Sequence, residues 1–138
     1  MSPSRRPSLF ACTLLLATMG VGSQAWSESQ VAGDAVRGEA VYSRCLACHA
    51  LEYDRTGPRH CGLFGRRAGS VPDFVYSDAM KNSKIVWNEE TLNLFLTNPM
   101  KMVPGTTMGY AGIPDAQERA DLIAYLKKEN ASPACAGK

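Results

Sequence analysis

The chain has 138 residues, which is room for one domain, and carries 15 Lys and Arg residues against 13 Asp and Glu residues. Two of the basic residues, Arg5 and Arg6, lie near the start, and every acidic residue lies beyond position 25, so residues 26–138 hold 13 charges of each sign (15 less 2, against 13). That balance gives no support to nucleic-acid binding, which requires a concentrated basic face, and no repeat or low-complexity tract suggests a second unit.

The first 25 residues have the composition of a secretory signal peptide. Arg5 and Arg6 give a basic start, residues 9–21 are apolar and uncharged, and residues 23–25 supply the small side chains of a cleavage site. We predict cleavage after Ala25, with residues 1–25 as signal peptide and residues 26–138 as the mature domain. The alternative is an uncleaved anchor, although the apolar stretch is short for a bilayer crossing. Export would place the four remaining cysteines in an oxidising compartment.

The first helix is predicted over residues 34–44. Asp34 is the expected N-terminal cap, and Val36, Ala40 and Val41 fall near one face of that helix. Residues 51–74 are rich in Gly, Pro and Arg and show no sustained periodicity, which predicts an ordered loop.

Three more helical segments follow. Residues 77–82 predict a short helical turn, and a longer helix begins after the cap Asn88 and stops at Asn98-Pro99. The last helix begins after the cap Asp115, with Glu118 in the position of a capping box. Its apolar stripe consists of Leu122, Ile123, Tyr125 and Leu126.

Strand signals are weak throughout, so we predict a small all-α domain of three or four helices joined by long loops. A domain of this size with so much loop buries a modest core, and such scaffolds usually depend on a metal, a disulfide or a cofactor. The sequence therefore predicts a cofactor at the centre of the domain.

The motif Cys45-x-x-Cys48-His49 allows three kinds of site. A thiol redox pair is expected at a helix N-terminus after a strand, whereas this pair follows a helix. A tetrahedral zinc site needs two more ligands, and the side chains of adjacent His60 and Cys61 point in different directions. Covalent haem attachment uses all three residues, because the cysteines add to the vinyl groups and the histidine binds the iron. We therefore predict a c-type haem.

A sixth iron ligand distinguishes electron transfer from binding of small molecules at the iron. The methionines beyond residue 25 are Met80, Met100, Met102 and Met108. Met108 is the predicted ligand, because the restricted loop of residues 104–107 can present its side chain inward, and a soft thioether favours ferrous iron. His60 is the competing ligand, but it follows His49 too closely to reach the opposite haem face with ease.

Other motifs extend from residue 33 to residue 129. They are Gly33-Asp34 with Gly38 and Tyr42, CLACH at 45–49, TGP at 56–58, GLFGRRAG at 62–69, YSDAMKNS at 76–83, Trp87, NPMKMVPGTTM at 98–108 and ERADLIAYLKK at 118–128. With these motifs the chain resembles the class I cytochromes c, particularly bacterial cytochrome c2 and mitochondrial cytochrome c. The resemblance implies the fold of that class, in which three to four helices and long loops wrap one covalently bound haem c.

The resemblance also implies the haem ligands. By this resemblance Cys45 and Cys48 are the thioether sites, His49 is the proximal iron ligand and Met108 is the distal iron ligand. The carbonyl of Pro58 would accept the ring N–H of His49 and so fix its tautomer.

Three further residues match those that surround a haem propionate in the family. Tyr76 and Trp87 correspond to its hydrogen-bond donors, and Arg66 corresponds to the arginine that helps to neutralise it. Plain packing is the alternative for the two aromatic residues.

Some residues depart from the family pattern. Phe95 replaces a frequent tyrosine near the methionine sulfur and Met80 replaces a frequent asparagine, which predicts a drier pocket. Cys61 and Cys135 are additional, and we predict that they form a disulfide bond that closes a long loop. Free buried thiols are the alternative.

The resemblance implies a bacterial periplasmic electron carrier and no catalysis of its own. Its donor would be a quinol-cytochrome c reductase, and its acceptor a terminal oxidase or a photosynthetic reaction centre. We expect a monomer without stable membrane insertion. A dedicated electron acceptor of a periplasmic dehydrogenase is the first alternative, and a haem enzyme or gas sensor with an open iron is the second.

Overall fold

The computed structural model describes residues 31–137. The predicted signal peptide, residues 1–25, and the predicted cleavage after Ala25 therefore lie outside the described residues.

Five α-helices and two short 3-10 turns make up the regular structure of residues 31–137. They are α1 (Ala35–Tyr42), a 3-10 turn (Ser43–Cys45), α2 (Asp78–Asn82), α3 (Glu89–Thr97), α4 (Pro99–Met102), α5 (Ala116–Asn130) and a second 3-10 turn (Pro133–Cys135). This part of the chain contains no β-strand, and one isolated antiparallel bridge pairs Arg67 with Val86. The predicted all-α class is confirmed.

The helix α4 is one that the sequence analysis missed. Asn98-Pro99 ends α3 as predicted, but Asn98 also caps α4, since its side chain accepts from the backbone N–H of Lys101. Proline is tolerated in the first turn of a helix, where its missing N–H has no helical partner anyway. The same two residues therefore end one helix and begin the next.

The predicted N-terminal caps are all present. The side chains of Asp34, Asn88 and Asp115 accept hydrogen bonds from the first turns of α1, α3 and α5. The capping box expected at Glu118 is only half formed, because its carboxylate accepts two hydrogen bonds from the Arg44 guanidinium, at 2.6 and 2.7 Å. Glu118 thereby joins the end of α1 to the start of α5.

The buried face of α1 differs from the predicted one. Val36 is 77 % exposed and Ala40 is also exposed, whereas Gly38 and Tyr42 are buried with the correctly predicted Val41. The reason is the close crossing of α1 and α5: a Cβ atom on Gly38 would lie 2.0 Å from the carbonyl oxygen of Asp121. The crossing therefore selects the glycine face of α1 over its apolar one.

The core forms where α1 and α3 pack against α5. The predicted apolar stripe of α5 is buried throughout. The long loop of residues 51–74 has no helix, as predicted, and it covers one side of this core. Among the described residues, no helix is both long enough and apolar enough to cross a membrane.

Candidate functional site

A cavity of about 500 Å³ lies within the core. The eight residues singled out from the sequence as cofactor contacts all line it: Cys45, Cys48, His49, Pro58, Arg66, Tyr76, Trp87 and Met108. Its walls are mostly apolar, and its volume falls within the range of roughly 300–1,000 Å³ typical of cofactor sites. Residues from the whole length of the domain therefore meet at one place.

A tight turn directs the CxxCH motif into this cavity. Cys45 closes the 3-10 turn that follows α1, and its carbonyl oxygen accepts from the backbone N–H groups of Cys48 (3.1 Å) and His49 (2.8 Å). The two thiols are not joined to each other. Burial raises the pKa of the Cys45 thiol, whereas a nucleophilic redox cysteine needs a lowered pKa. The site therefore does not suit thiol chemistry.

The imidazole of His49 is held from several directions. It is 8 % exposed, and its Nδ1 lies 2.8 Å from the carbonyl oxygen of Pro58. A Cβ atom on Gly57 would lie 2.3 Å from Cε1 and 2.6 Å from Nε2 of this ring, so only glycine fits there. Burial lowers the pKa of His49, and the Pro58 carbonyl partly opposes that shift. The ring is therefore fixed with Nδ1 engaged by Pro58.

His60 lies beside His49. The two rings stack with their centroids 4.4 Å apart and an interplanar angle of 19°. The Nδ1 atom of His60 lies 3.1 Å from the Tyr42 hydroxyl. Burial, then the neighbouring His49 and Arg66, lower the pKa of His60 well below its usual range, so the ring is uncharged. Sequence reasoning weighed His60 as a rival iron ligand and as a possible zinc ligand, and missed this contact.

Arg66, Trp87 and Tyr76 form a second wall of the cavity. The bridge between Arg67 and Val86 brings the first two together, since the Trp87 backbone N–H donates to the Arg66 carbonyl at 2.9 Å. The Arg66 guanidinium donates to the carbonyls of Cys61 and Arg59, each at 2.9 Å. Burial raises the pKa of Tyr76, and the nearby Arg66 partly opposes that shift. This wall therefore consists of one basic side chain and two aromatic side chains that each carry a polar hydrogen.

The segment that carries Met108 follows α4. The Thr106 backbone N–H donates to the Val103 carbonyl (3.0 Å), and the Met108 backbone N–H donates to the Thr106 hydroxyl (3.2 Å). Met108 is partly buried and packs against the core. Phe95 and Met80, the two departures from the family pattern, line the same cavity and are themselves buried.

Cys61 and Cys135 are joined in the structure. Their Sγ atoms are bonded, the Cα atoms are 5.0 Å apart, and the two residues are 74 positions apart in the sequence. This link connects the loop after Pro58 to the 3-10 turn beyond α5. Cys61 is therefore not free to complete the zinc site considered above.

Comparison with known proteins agrees with the fold and the motif. The cytochrome c family model matches residues 35–129. Cytochrome c2 of Blastochloris viridis is 46 % identical over 103 residues, covering 72 % of this chain and 81 % of the relative. Cytochrome c of Tetrahymena pyriformis is 54 % identical over 97 residues, covering 69 % and 88 %.

A solved structure is similar as well. Cytochrome cH from Methylobacterium extorquens superposes with a TM-score of 0.68 at 41 % identity, covering 70 % of this chain and 99 % of that one. With these matches, the chain belongs to the cytochrome c family.

Membership of this family establishes the cofactor and the general role. Its members attach one haem c covalently at a CxxCH motif, so this chain carries one haem c at Cys45 and Cys48. The residues present fit that group, since the apolar cavity has both thiols and an imidazole on its wall and a glycine packed against the imidazole. Cytochromes c carry electrons and are generally not enzymes, and electron transfer is the role of this chain.

Proposed function

We propose that this chain carries single electrons at a six-coordinate haem whose axial ligands are His49 and Met108. The observation that supports this most strongly is that both side chains line one cavity together with Cys45 and Cys48. When bound, haem supplies the one-electron couple of iron. With His49 and Met108 holding the iron, no position would remain for a substrate, and the haem would supply electron exchange at its edge.

Each ligand has a distinct task. His49 donates its Nδ1–H to the Pro58 carbonyl at 2.8 Å, which would leave Nε2 to hold the iron and make it a stronger donor. The Met108 thioether is a soft group that would favour the reduced iron and so raise the reduction potential. Arg66, Tyr76 and Trp87 would hold a haem propionate, since they line the cavity as one cation and two aromatic donors.

We further propose that the protein works in the bacterial periplasm. The basic start, apolar stretch and small residues of positions 1–25, which predict a signal peptide, and the likeness to bacterial cytochromes c2 support export, although eukaryotic cytochromes c are also similar. Its electron donor would be a quinol-cytochrome c reductase, and its acceptor a terminal oxidase or a reaction centre.

The oxidised absorption spectrum tests the ligand set. Methionine ligation predicts a weak sulfur-to-iron charge-transfer band at long wavelength. Met108→Leu should abolish the band and open the iron to cyanide and carbon monoxide. Met100→Leu is the matched control, because Met100 is 51 % exposed and does not line the cavity. A band that survives Met108→Leu would exclude Met108 as the ligand.

Two measurements test the compartment and the partners. The mass of protein purified from the periplasmic fraction should equal residues 26–138 plus one haem. Membranes that contain a quinol-cytochrome c reductase should reduce the protein, and membranes with a terminal oxidase should reoxidise it. Retention of residues 1–25, or rapid reduction by a periplasmic dehydrogenase alone, would contradict this assignment.

A further inference from the structure

His60 is held at both of its ends. Its backbone N–H is shared between the carbonyls of Ala50 and Leu51, each at 3.1 Å, which ties it to the residues directly after the CxxCH motif. Its ring accepts or donates a hydrogen bond at Nδ1 to the hydroxyl of Tyr42, which is only 3 % exposed. The ring therefore has little freedom to turn.

This fixed ring lies against the face of His49. The 4.4 Å centroid distance and the 19° angle mean that turning the plane of the His49 ring would drive it into His60. The hydrogen bond to Pro58 restrains the edge of His49 in the ring plane, and the stack restrains its face. Together the two contacts define one orientation of the ring.

We propose that His60 is a positioning residue that sets the plane of the His49 imidazole, and that the Tyr42 hydroxyl fixes His60 for this task. An aliphatic side chain would fill the same volume without a polar nitrogen that needs a partner. The pair of Tyr42 and His60 has the free-energy cost of burying polar atoms. It presents a flat, oriented and uncharged ring face to His49. The proposal rests on the proposed role of His49 as an iron ligand.

The test uses the haem-loaded protein and reads ligand orientation directly. In ferric haem, the plane of an axial imidazole determines how unpaired spin is distributed over the porphyrin. Proton NMR shifts of the haem methyl groups and EPR g-values report that distribution. These readouts are compared, with the midpoint potential, in the parent protein, His60→Leu, His60→Phe and Tyr42→Phe.

The expected results form a series. His60→Leu should change the spread of the methyl shifts and move the midpoint potential, and His60→Phe should restore part of the parental pattern because it restores a ring. Tyr42→Phe should cause a smaller change of the same sign. Tyr125→Phe is the matched control, since that ring packs against Tyr42 at 5.1 Å and should leave the pattern unchanged.

Two outcomes would overturn the proposal. One is a parental methyl pattern and potential in both His60→Leu and Tyr42→Phe. The other applies if His60→Leu does not fold, and it is a parental methyl pattern in Tyr42→Phe. Tyr42→Phe removes a single oxygen, so this variant should still fold. Loss of the histidine-ligand signature in the parent protein itself would instead show that the proposed function has failed.

Discussion

The segments around His49 and Met108 bring their side chains to the same cavity by different means. The His49 ring meets a carbonyl, a stacked ring and a glycine within a stretch of a dozen residues. The Met108 segment is placed by loop packing, with Gly105 close to Ala79 of α2, and by two local hydrogen bonds, one to the Val103 carbonyl and one to the Thr106 hydroxyl.

This difference predicts how the two sides respond to substitution. The contacts around His49 restrict its ring in several directions. Small changes there should therefore alter both the free energy of unfolding and the orientation of the His49 imidazole. Apolar packing around Met108 is more tolerant, since side chains of similar volume can replace one another at low cost. The contact between Gly38 of α1 and Asp121 of α5 supplies a third region, and because neither residue lines the cavity, changes there should affect stability alone.

The largest expected effect is that of Gly57→Ala. The new Cβ atom would lie 2.3 Å from Cε1 of His49, so either the ring or the loop must move. We expect the free energy of unfolding to fall by about 4 kcal/mol, more than the roughly 1–3 kcal/mol typical of overpacking, because neither the ring nor the loop has space to move into. Denaturant unfolding followed by haem absorbance measures this.

Met102→Leu is the matched control on the Met108 side. Met102 packs against the core without lining the cavity, so a change to a side chain of similar volume should cost less than about 1.5 kcal/mol. Equal losses of stability in the two variants would contradict the asymmetry between the two sides.

The disulfide between Cys61 and Cys135 comes next in size. It ties the loop of the His49 side to the turn beyond α5 and closes a long stretch of chain. The double variant Cys61→Ser and Cys135→Ser should lose about 3 kcal/mol of stability, because the unfolded chain regains freedom. The charge-transfer band assigned to Met108 should persist.

Thiol counting tests the same bond without mutation. Unfolded and unreduced mature protein should contain no free thiol, because two cysteines are bound to haem and two to each other. Two reactive thiols per chain would favour the alternative of free buried cysteines.

The α1–α5 crossing predicts a pH effect separate from the cavity. Asp121 is 3 % exposed and accepts from Arg37, Gln117 and the backbone N–H of Asp34. The Arg37 hydrogen bond is the main cause that lowers the pKa of Asp121 from 3.8 to about 2, against the opposing effect of burial.

A lowered pKa means that the carboxylate stabilises the fold above pH 3.8, and that this contribution is lost as the pH falls through about 2. Asp121→Asn should cost about 2 kcal/mol at neutral pH. The difference between variant and parent should shrink below pH 3.8, with the midpoint potential unchanged. A constant difference across this range would exclude Asp121 as the titrating group.

Much of the site could be predicted because its residues belong to short motifs. Each of the eight predicted contacts lines the cavity, although their roles toward haem stay predictions. The helix caps could be predicted equally well, because a cap depends only on an acceptor side chain directly before the first turn of its helix. Sequence motifs and capping preferences therefore identified most of the features that depend on residues close together in the sequence.

Features that depend on contacts distant in sequence could not be predicted in this way. Arg119 is 9 % exposed despite its charge, because its guanidinium donates to Asn93 and to the carbonyls of Ile113 and Pro114. Val36 is exposed because the close crossing of α1 and α5 requires Gly38 at the interface. The stack of His60 on His49 likewise depends on Tyr42, 18 positions earlier.

The smallest expected effect concerns the Met108 side of the cavity. The apolar packing there should tolerate a substitution that adds a hydrogen-bond donor beside Met108. Phe95 is 6 % exposed, lines the cavity and packs against Trp87 with ring centroids 5.0 Å apart. In Phe95→Tyr the added phenol can donate a hydrogen bond to the Met108 sulfur. Such a bond withdraws electron density from the thioether and so disfavours ferric iron.

A net hydrogen bond worth about 1 kcal/mol corresponds to about 40 mV for a one-electron couple, and we expect the midpoint potential of Phe95→Tyr to rise by that amount. Phe64→Tyr is the matched control, because Phe64 packs on the core without lining the cavity. A redox titration that gives the parental potential for both variants would mean that the apolar surroundings of Met108 do not tune this haem. The His49 side and the Met108 side of the cavity would then differ only in how well they tolerate substitution.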